Sequence, residues 1–353
     1  MAIKQLKIQH LRNITEADVQ FSDGINFISG RNGSGKSTLL EAIYMLGRGR
    51  SYRTTKFGPV VQQGEKTVSL FAISSLDRLY RIGLQKTATT TEVKVNGSSI
   101  NRLSDIARIT PLQILTPLSH EILERGPEYR RRFMEWGVFH VEHYYFELLK
   151  KYLKALRQRN FLLRSDPTTV PSWNKIVGEL GESLNAIRES YFVELKSAFQ
   201  AEINALCLPN NISLGWRRGW DDDKSLETVL VEKQPVDIKQ GFTHVGPHRA
   251  DLRIVYDGRS AFTGISRGQQ KMIISALHLA QARLTQDKTG NKPIILFDDL
   301  VAELDRENRD ILLNRINDFG CQAFVTSTDP LGSRGFSDEL HLGIDQGIVN
   351  RAN

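Results

Sequence analysis

Nine consecutive residues, Gly30-Arg31-Asn32-Gly33-Ser34-Gly35-Lys36-Ser37-Thr38, have the types and spacing to hold a chain of phosphates. They fit G-x-x-x-x-G-K-[ST], and they stand between a short apolar run at 25–28 and a segment of helical periodicity that starts at Ser37. Glycines at 30, 33 and 35 let the backbone take positive φ, so that successive N–H groups turn inward as a ring of donors. The helix that follows points the positive end of its dipole at the same place. In this arrangement Lys36 reaches the β- and γ-phosphates, and the Ser37 hydroxyl is a ligand for Mg²⁺. The expected ligands are therefore ATP and Mg²⁺.

A second acidic element complements the first. Pro293 is followed by Ile294-Ile295-Leu296-Phe297 and then Asp298-Asp299, a buried strand that delivers two carboxylates at its C-terminal edge. Asp298 is expected to hold the metal, directly or through water, and Asp299 to orient or deprotonate an attacking water. Ser266-Arg267-Gly268-Gln269-Gln270-Lys271 opens a helix whose apolar stripe is Met272, Ile273, Ala276, Leu277 and Ala280. Ser266 is suited to cap it, and Gly268 permits a close backbone approach to a ligand.

The elements that must position these residues read as an α/β domain with a helical interruption. Residues 1–28 and 67–100 favour strands, with Asn96-Gly97 a strong two-residue hairpin signal, and another buried strand is expected at 112–115. From 118 to 206 the chain is dominated by helix formers, with amphipathic stretches at 128–136, 140–163 and 173–206, punctuated by Pro167 and Pro171. The expected division is a discontinuous domain of residues 1–117 and 241–353, with a mostly helical insertion at 118–240. Folded back on itself, that insertion would reach about 90 Å even if wholly helical, too short for a long coiled-coil arm.

Composition narrows the class. The chain has 353 residues, 40% hydrophobic and 25% charged, which is ordinary globular usage. No apolar run approaches the roughly 18–20 residues of a bilayer span, and the N-terminus lacks the pattern of a secretory signal. Two cysteines, Cys207 and Cys321, are too few for a disulfide scaffold or a four-cysteine zinc site. They fit a reducing, cytoplasmic setting and are expected to be buried or half-buried. The net charge of +7 permits a polyanionic partner such as nucleic acid.

The order of phosphate loop, Ser-x-Gly-Gln helix and acidic strand resembles the ABC-type ATPases. Glu303-Leu304-Asp305 is similar to their D-loop, and 324–328 to the strand that ends in their switch residue. Two positions depart from that pattern: Asp299 stands where those ATPases usually have Glu, and Ser327 or Thr328 where many have His. A shorter carboxylate and a weaker γ-phosphate sensor imply slow hydrolysis. Residues 3–13, Asn32 and the helical insertion resemble the SMC/Rad50/RecF branch, and several stretches narrow the resemblance to the RecF family. These are Gly126-Pro127-Glu128-Tyr129-Arg130-Arg131-Arg132-Phe133, Thr243-His244-Val245-Gly246-Pro247-His248-Arg249-Ala250-Asp251-Leu252, 266–271, and Asp298-Asp299.

The resemblance implies an SMC-type P-loop ATPase head in a bacterial repair and replication-restart protein. It further implies binding to duplex, single-stranded or junction DNA, ATP-dependent homodimerisation, and action with RecO and RecR in loading RecA. Within the dimer, Ser266, Gly268 and Gln269 would face the γ-phosphate held by the other copy, and Asp305 would belong to the D-loop. Candidate DNA contacts are the basic clusters Arg48, Arg50, Arg53 and Lys56, with Tyr52 among them; Arg130, Arg131 and Arg132; and the run Lys150, Lys151, Lys154, Arg157 and Arg159. His244, His248 and Arg249 are expected to be structural, and Gln113 is a candidate Q-loop residue. Three alternatives stay open. One is an ATP-gated scaffold that scarcely hydrolyses. Another is an ABC transporter subunit, although its motifs would lie much closer together than Lys36 and Ser266, which are 230 positions apart. The third is a Rad50-like nuclease subunit, which would carry long arms and a Cys-x-x-Cys hook.

Overall fold

The structure is a computed structural model that describes residues 2–75, 78–260, 265–299 and 304–351. The chain divides into two compact units: Met1–Ser119 with Arg267–His278 and Gly290–Asn353, and His120–Ser266 with Leu279–Thr289.

The first unit holds two six-stranded sheets. One is antiparallel, in the order β2 (Ile14–Gln20), β1 (Ala2–Leu11), β4 (Val68–Ser75), β5 (Leu79–Lys86), β6 (Thr91–Val95), β7 (Ser98–Ser99). Its strands alternate in burial, most cleanly β4, as one-face-buried antiparallel strands do. Asn96 and Gly97, both at positive φ, form the tight turn between β6 and β7. The other sheet runs β15 (Ile348–Arg351), β14 (Glu339–Asp345), β3 (Ile25–Ser29), β13 (Ala323–Ser327), β12 (Ile294–Phe297), β8 (Leu112–Leu115). All its pairings are parallel except β14 with β15. β12 and β13 are buried along their whole length, which is why β12 reads as an unbroken apolar run rather than an alternation, while β13 ends in the buried hydroxyls of Thr326 and Ser327.

Helix α1 (Lys36–Arg48) packs against strands of both sheets, and Leu39, Leu40, Ala42, Ile43, Met45 and Leu46 are all buried. A helix apolar on every side belongs between two layers, and this one carries the phosphate loop at its N-terminus. It ends at Gly49, in the left-handed conformation with its N–H on the Met45 carbonyl. The short α2 (Leu103–Ile109) packs against it.

The second unit is built on α4 (Pro127–Val141), α5 (Tyr145–Ser165), α6 (Val170–Ala205) and α7 (Leu226–Gln240), preceded by the single turn α3 (Glu121–Glu124). It also has a three-stranded antiparallel sheet of β9 (Ile212–Arg217), β10 (Asp251–Tyr256) and β11 (Arg259–Ser260). The three expected amphipathic helices are present, with shifted ends. His140 belongs to α4, and Pro171 sits in the first turn of α6, where a missing N–H costs nothing. The second unit extends past residue 240, unlike the expected division, because β9 pairs with β10 and keeps the chain to Ser266 beside the helices. It also takes the C-terminal half of α8 (Arg267–Thr289): Gln281 donates to the Phe133 carbonyl at 3.0 Å, and Lys288 pairs with Glu194 at 2.8 Å. The chain returns to the first unit at Gly290, and the last helix, α9 (Arg306–Phe319), lies within it.

Cys321 is buried as expected, but Cys207 is exposed; it follows α6 at positive φ, in a turn rather than a packed element. No described helix is long and apolar enough to cross a membrane.

Candidate functional site

The phosphate loop leaves β3 at Ser29, and the Gly30 N–H donates to the Ser327 carbonyl at 3.3 Å. A Cβ on Gly30 would lie 2.3 Å from the Ile344 carbonyl oxygen and 2.6 Å from Ser34 Oγ, so no other residue fits. Gly33 and Gly35 have φ of 79° and 123°, the left-handed region that turns N–H groups inward. Asn13 clamps the loop from outside. Its Nδ2 donates to the carbonyls of Gly33 (3.2 Å) and Ser34 (3.0 Å), and its Oδ1 accepts from Thr38 Oγ1 at 3.0 Å. Lys36 Nζ donates to the carbonyls of Gly30 (2.7 Å) and Arg31 (3.2 Å), so its charge already sits within the loop. Ser34 Oγ is buried and has no hydrogen-bond partner among the described residues. An orphan hydroxyl beneath inward-turned donors fits a phosphate oxygen, and buried polar groups otherwise find partners. Arg31 and Asn32 are exposed at the loop's tip.

The acidic strand arrives beside this loop because β12 and β3 flank β13 in parallel register. Ser37 Oγ donates to Asp298 Oδ1 at 2.8 Å, so the two expected metal ligands, 261 positions apart, are in contact. Asp298 is 7% exposed, and its N–H donates to the Leu115 carbonyl at 2.8 Å. A hydroxyl and a carboxylate side by side form a hard-oxygen set of the kind Mg²⁺ takes, with room left for waters and phosphate oxygens. The other carboxylate oxygen of Asp298 accepts from the Tyr52 hydroxyl at 2.6 Å. Burial, and then the Asp298 charge, push the Tyr52 phenol far up from its ordinary pKa, so it stays a donor. Tyr52 rides on the segment after α1. That segment is anchored by the fully buried Glu41, which pairs with Arg12 and accepts from Ser51, with Arg53 3.8 Å away.

Asp299 takes a left-handed backbone with φ 53°, and its N–H donates to Thr326 Oγ1 at 2.8 Å. That hydroxyl also lies 3.2 Å from Asp298 Oδ1 and 3.3 Å from Asp299 Oδ1, bridging the two carboxylates. The hydroxyl beside the acids is Thr326, next to the expected switch positions Ser327 and Thr328. Ser327 is buried with its Oγ accepting from the Asp329 N–H, and Thr328 is exposed. Tyr52, Thr326 and Asn13 are thus site residues that sequence motifs alone did not assign. The signals were present: a Tyr within a basic cluster, a Thr one position before the expected switch, and an Asn at the turn after β1.

Ser266 is exposed immediately before α8, and Gly268 and Gln269 lie half-buried in that helix's first turn. Asp305 caps α9, accepting from the N–H of Asn308 at 2.8 Å and from its side chain at 2.7 Å. Those hydrogen bonds hold its carboxyl below the usual range. Glu303 lies outside the described residues. Gln113 is buried within β8 with Oε1 3.1 Å from His278 Nδ1, an internal strand–helix contact rather than a strand-end position.

The basic clusters divide. Arg50 and Lys56 are exposed, Arg53 faces Glu41, and Arg48 is half-buried with Nη2 donating to the Leu112 carbonyl at 3.3 Å. In the helical unit, Arg130 is engaged by Asp251 at 2.7 and 3.2 Å and by two carbonyls, Arg131 donates to the Ala250 carbonyl, and Arg132 pairs with Glu128. Arg159 is fully buried, so its place in an exposed basic run is corrected. It donates to Asn174, Asp237 and Thr243 and holds α5 to α6, α7 and the turn after α7. His244 and His248 both have partners inside the helical unit. His244 binds Asp237 at 2.6 Å, and His248 lies 2.7 Å from the Tyr152 hydroxyl. Burial pushes His248 down to about 4.

Comparison with known proteins bears on this geometry. Residues 2–335 match the family described as RecF/RecN/SMC N terminal domain. The chain is 37% identical over 334 residues to the DNA replication and repair protein RecF of Shewanella piezotolerans, covering 94% of this chain and 93% of that one. It is 38% identical over 332 residues to the protein of the same name from Hydrogenovibrio crunogenus, covering 92% of each. Among solved structures, the recombination mediator protein RecF with ATP, of the RecFOR pathway, superposes with a TM-score of 0.84 at 25% identity, over 100% of this chain and 98% of that one. The Smc head domain of Pyrococcus furiosus superposes with a TM-score of 0.61 at 15% identity over 99% of this chain and 96% of that one, a likeness of fold.

Proposed function

The chain belongs to the RecF/RecN/SMC family, and we propose that it is a cytoplasmic, ATP-dependent DNA-binding protein of recombinational repair. In this reading two copies close around ATP, on duplex or gapped DNA, in concert with RecO- and RecR-type partners. The observation that carries the proposal is the contact of Ser37 with Asp298 beside a phosphate-loop motif whose Lys36 lies on the loop's own carbonyls and whose buried Ser34 hydroxyl lacks a partner among the described residues.

Each residue has a task in that reading. The loop N–H groups of 31–38 and Lys36 bind the phosphates, and Lys36 must exchange the carbonyls of Gly30 and Arg31 for phosphate oxygens. Ser37 and Asp298 hold Mg²⁺, with Tyr52 fixing the carboxylate's orientation. Mg²⁺ held there would supply positive charge that offsets the negative charge of the phosphates. Asp299 positions the attacking water and accepts its proton. A second observation keeps the ATP-gated scaffold reading in view: Asp299 is a short carboxylate whose backbone N–H is tied to Thr326, which favours slow hydrolysis. Ser266, Gly268 and Gln269 complete the site across the dimer, where a helix N-terminus donates to the γ-phosphate. ADP lacks that phosphate, so hydrolysis lets the copies part.

The test is nucleotide binding and phosphate release by the purified chain, with and without DNA, for the parent and for Asp299→Asn. The expected result is Mg²⁺-dependent ATP binding, turnover well below one per second, stimulation by DNA, and loss of turnover but not of binding in Asp299→Asn. Turnover of tens per second without DNA, or no ATP binding, overturns the proposal. Turnover that is absent with DNA, while ATP still gates DNA binding, selects the scaffold.

A further inference from the structure

Helix α5 carries a stripe of charge that the ATP site does not use. Between Leu148 and Ser165 the sequence has six cations and no carboxylate, whereas the neighbouring α6 mixes five acids with three bases. Arg159 is the one cation of the six that points inward. Lys150, Lys154, Arg157, Phe161 and Arg164 follow one another at steps of four, three, four and three, which places them on one face over about 21 Å. Their side chains are exposed, and Phe161 stands among the cations at 57% exposure. Lys154 and Arg157, with Lys151 on the flank, have no ion pair or hydrogen bond among the described residues, while Lys150 pairs with Glu147. The face is held rigidly from behind. Arg159 ties α5 to Asp237 and Thr243, Asn160 accepts from the Thr243 N–H at 2.9 Å, and Arg164 donates to the Gly241 carbonyl at 3.0 Å. That turn adds a further exposed pair, Arg249 over the ring of Phe242 at 5.6 Å.

Like charges three and four residues apart repel along a helix, and beyond the Glu147 pair of Lys150 no ion pair among the described residues relieves Lys154 or Arg157. An exposed phenyl ring within such a stripe is not needed for a solvated face. Both features fit a ligand with a regular line of negative charge and flat apolar groups. We propose that the outer face of α5 binds single-stranded DNA, its cations on the phosphates and Phe161 stacked on a base. This rests on the reading of the chain as a DNA-binding protein and adds where, and in which form, the helical unit engages it.

The experiment is fluorescence anisotropy of the full chain with single-stranded and duplex oligonucleotides across a salt series, with ATP present. Lys154→Gln/Arg157→Gln is expected to weaken single-strand binding about 25-fold at 0.1 M salt, and to reduce the slope of log affinity against log salt by about 1.4. Phe161→Ala is expected to weaken single-strand binding about tenfold with the slope and duplex binding unchanged. Lys175→Gln/Lys233→Gln, the same charge change elsewhere on the unit, is the control and is expected to leave the slope unchanged. If the parent binds and the α5 double variant keeps its affinity and slope, or only duplex binding falls, the proposed surface is wrong and the DNA-binding reading stands. If the parent binds no DNA in any nucleotide state, both fall.

Discussion

Tyr52, Ser37 and Thr326 put three hydroxyls around two carboxylates, and each can be tested singly. Tyr52→Phe removes one donor to Asp298 and a longer one, 3.4 Å, to the Ser37 carbonyl. It should raise the Mg²⁺ concentration needed for ATP binding about tenfold, while binding at saturating Mg²⁺ is preserved; a titration of nucleotide binding against Mg²⁺ measures this. Lys36→Ala removes the only ammonium within the loop and should abolish ATP binding at millimolar nucleotide without unfolding the chain. His248 gives a pH signature. Burial, aided by the charges of Arg249 and Arg131, depresses it to about 4, against about 6.5 when unfolded. The unfolded chain therefore takes up a proton below pH 6.5 that the folded chain refuses until about pH 4. Its stabilising contribution is complete above pH 6.5 and is lost as pH falls through that window, on the order of 3 kcal/mol in all. Denaturation curves at pH 7 and pH 5 should show this loss, and His248→Gln should shrink it. At this scale the sequence was legible where chemistry is contiguous: Lys36 and Ser37 sit in one motif, and Asp298 ends an apolar run. Tyr52 and Thr326 were hidden because their roles depend on which strand lies beside which. Only the parallel placement of β13 beside β12 sets Thr326 against both acids.

At the scale of elements, the site depends on close approach and on buried charge. Gly30 lies too near the Ile344 carbonyl for any side chain. Gly30→Ala must therefore displace the loop, and should cost about 1–3 kcal/mol of stability together with nearly all ATP affinity. Thermal melts with and without nucleotide separate the two losses. In the helical unit, Asp237 is fully buried, accepts from Arg159 and His244, and joins α7 to α5. Asp237→Ala strands the buried guanidinium and should cost about 3–5 kcal/mol in chemical denaturation. Helix existence was legible from period and caps, and the buried strands from their apolar runs. The extent of the helical unit was not: β9 and β10 pair across 34 or more positions, and nothing local in 241–266 reveals that. The basic run of α5 shows the same limit. Its sequence reads as six equal cations, yet one of them, Arg159, is the buried post on which the others are mounted.

For the whole molecule, each compact unit contributes separately to the proposed activity. The first unit gathers residues from the phosphate loop to Asp298 across 261 positions, and the second carries the α5 face and includes Ser266. The net charge of +7 suits a polyanionic partner, and its concentration on α5 gives that charge a direction. The central claim is that two copies each supply half of the cradle around one triphosphate. Sedimentation velocity of the full chain answers it most directly, run with Mg²⁺ and a non-hydrolysable ATP analogue, with ADP, and with Ser266→Arg beside the parent. A dimer is expected only for the parent with the analogue, and the Ser266→Arg variant is expected to bind the analogue yet stay monomeric. A parent that stays monomeric while saturated with the analogue, or a Ser266→Arg variant that dimerises as the parent does, would contradict it.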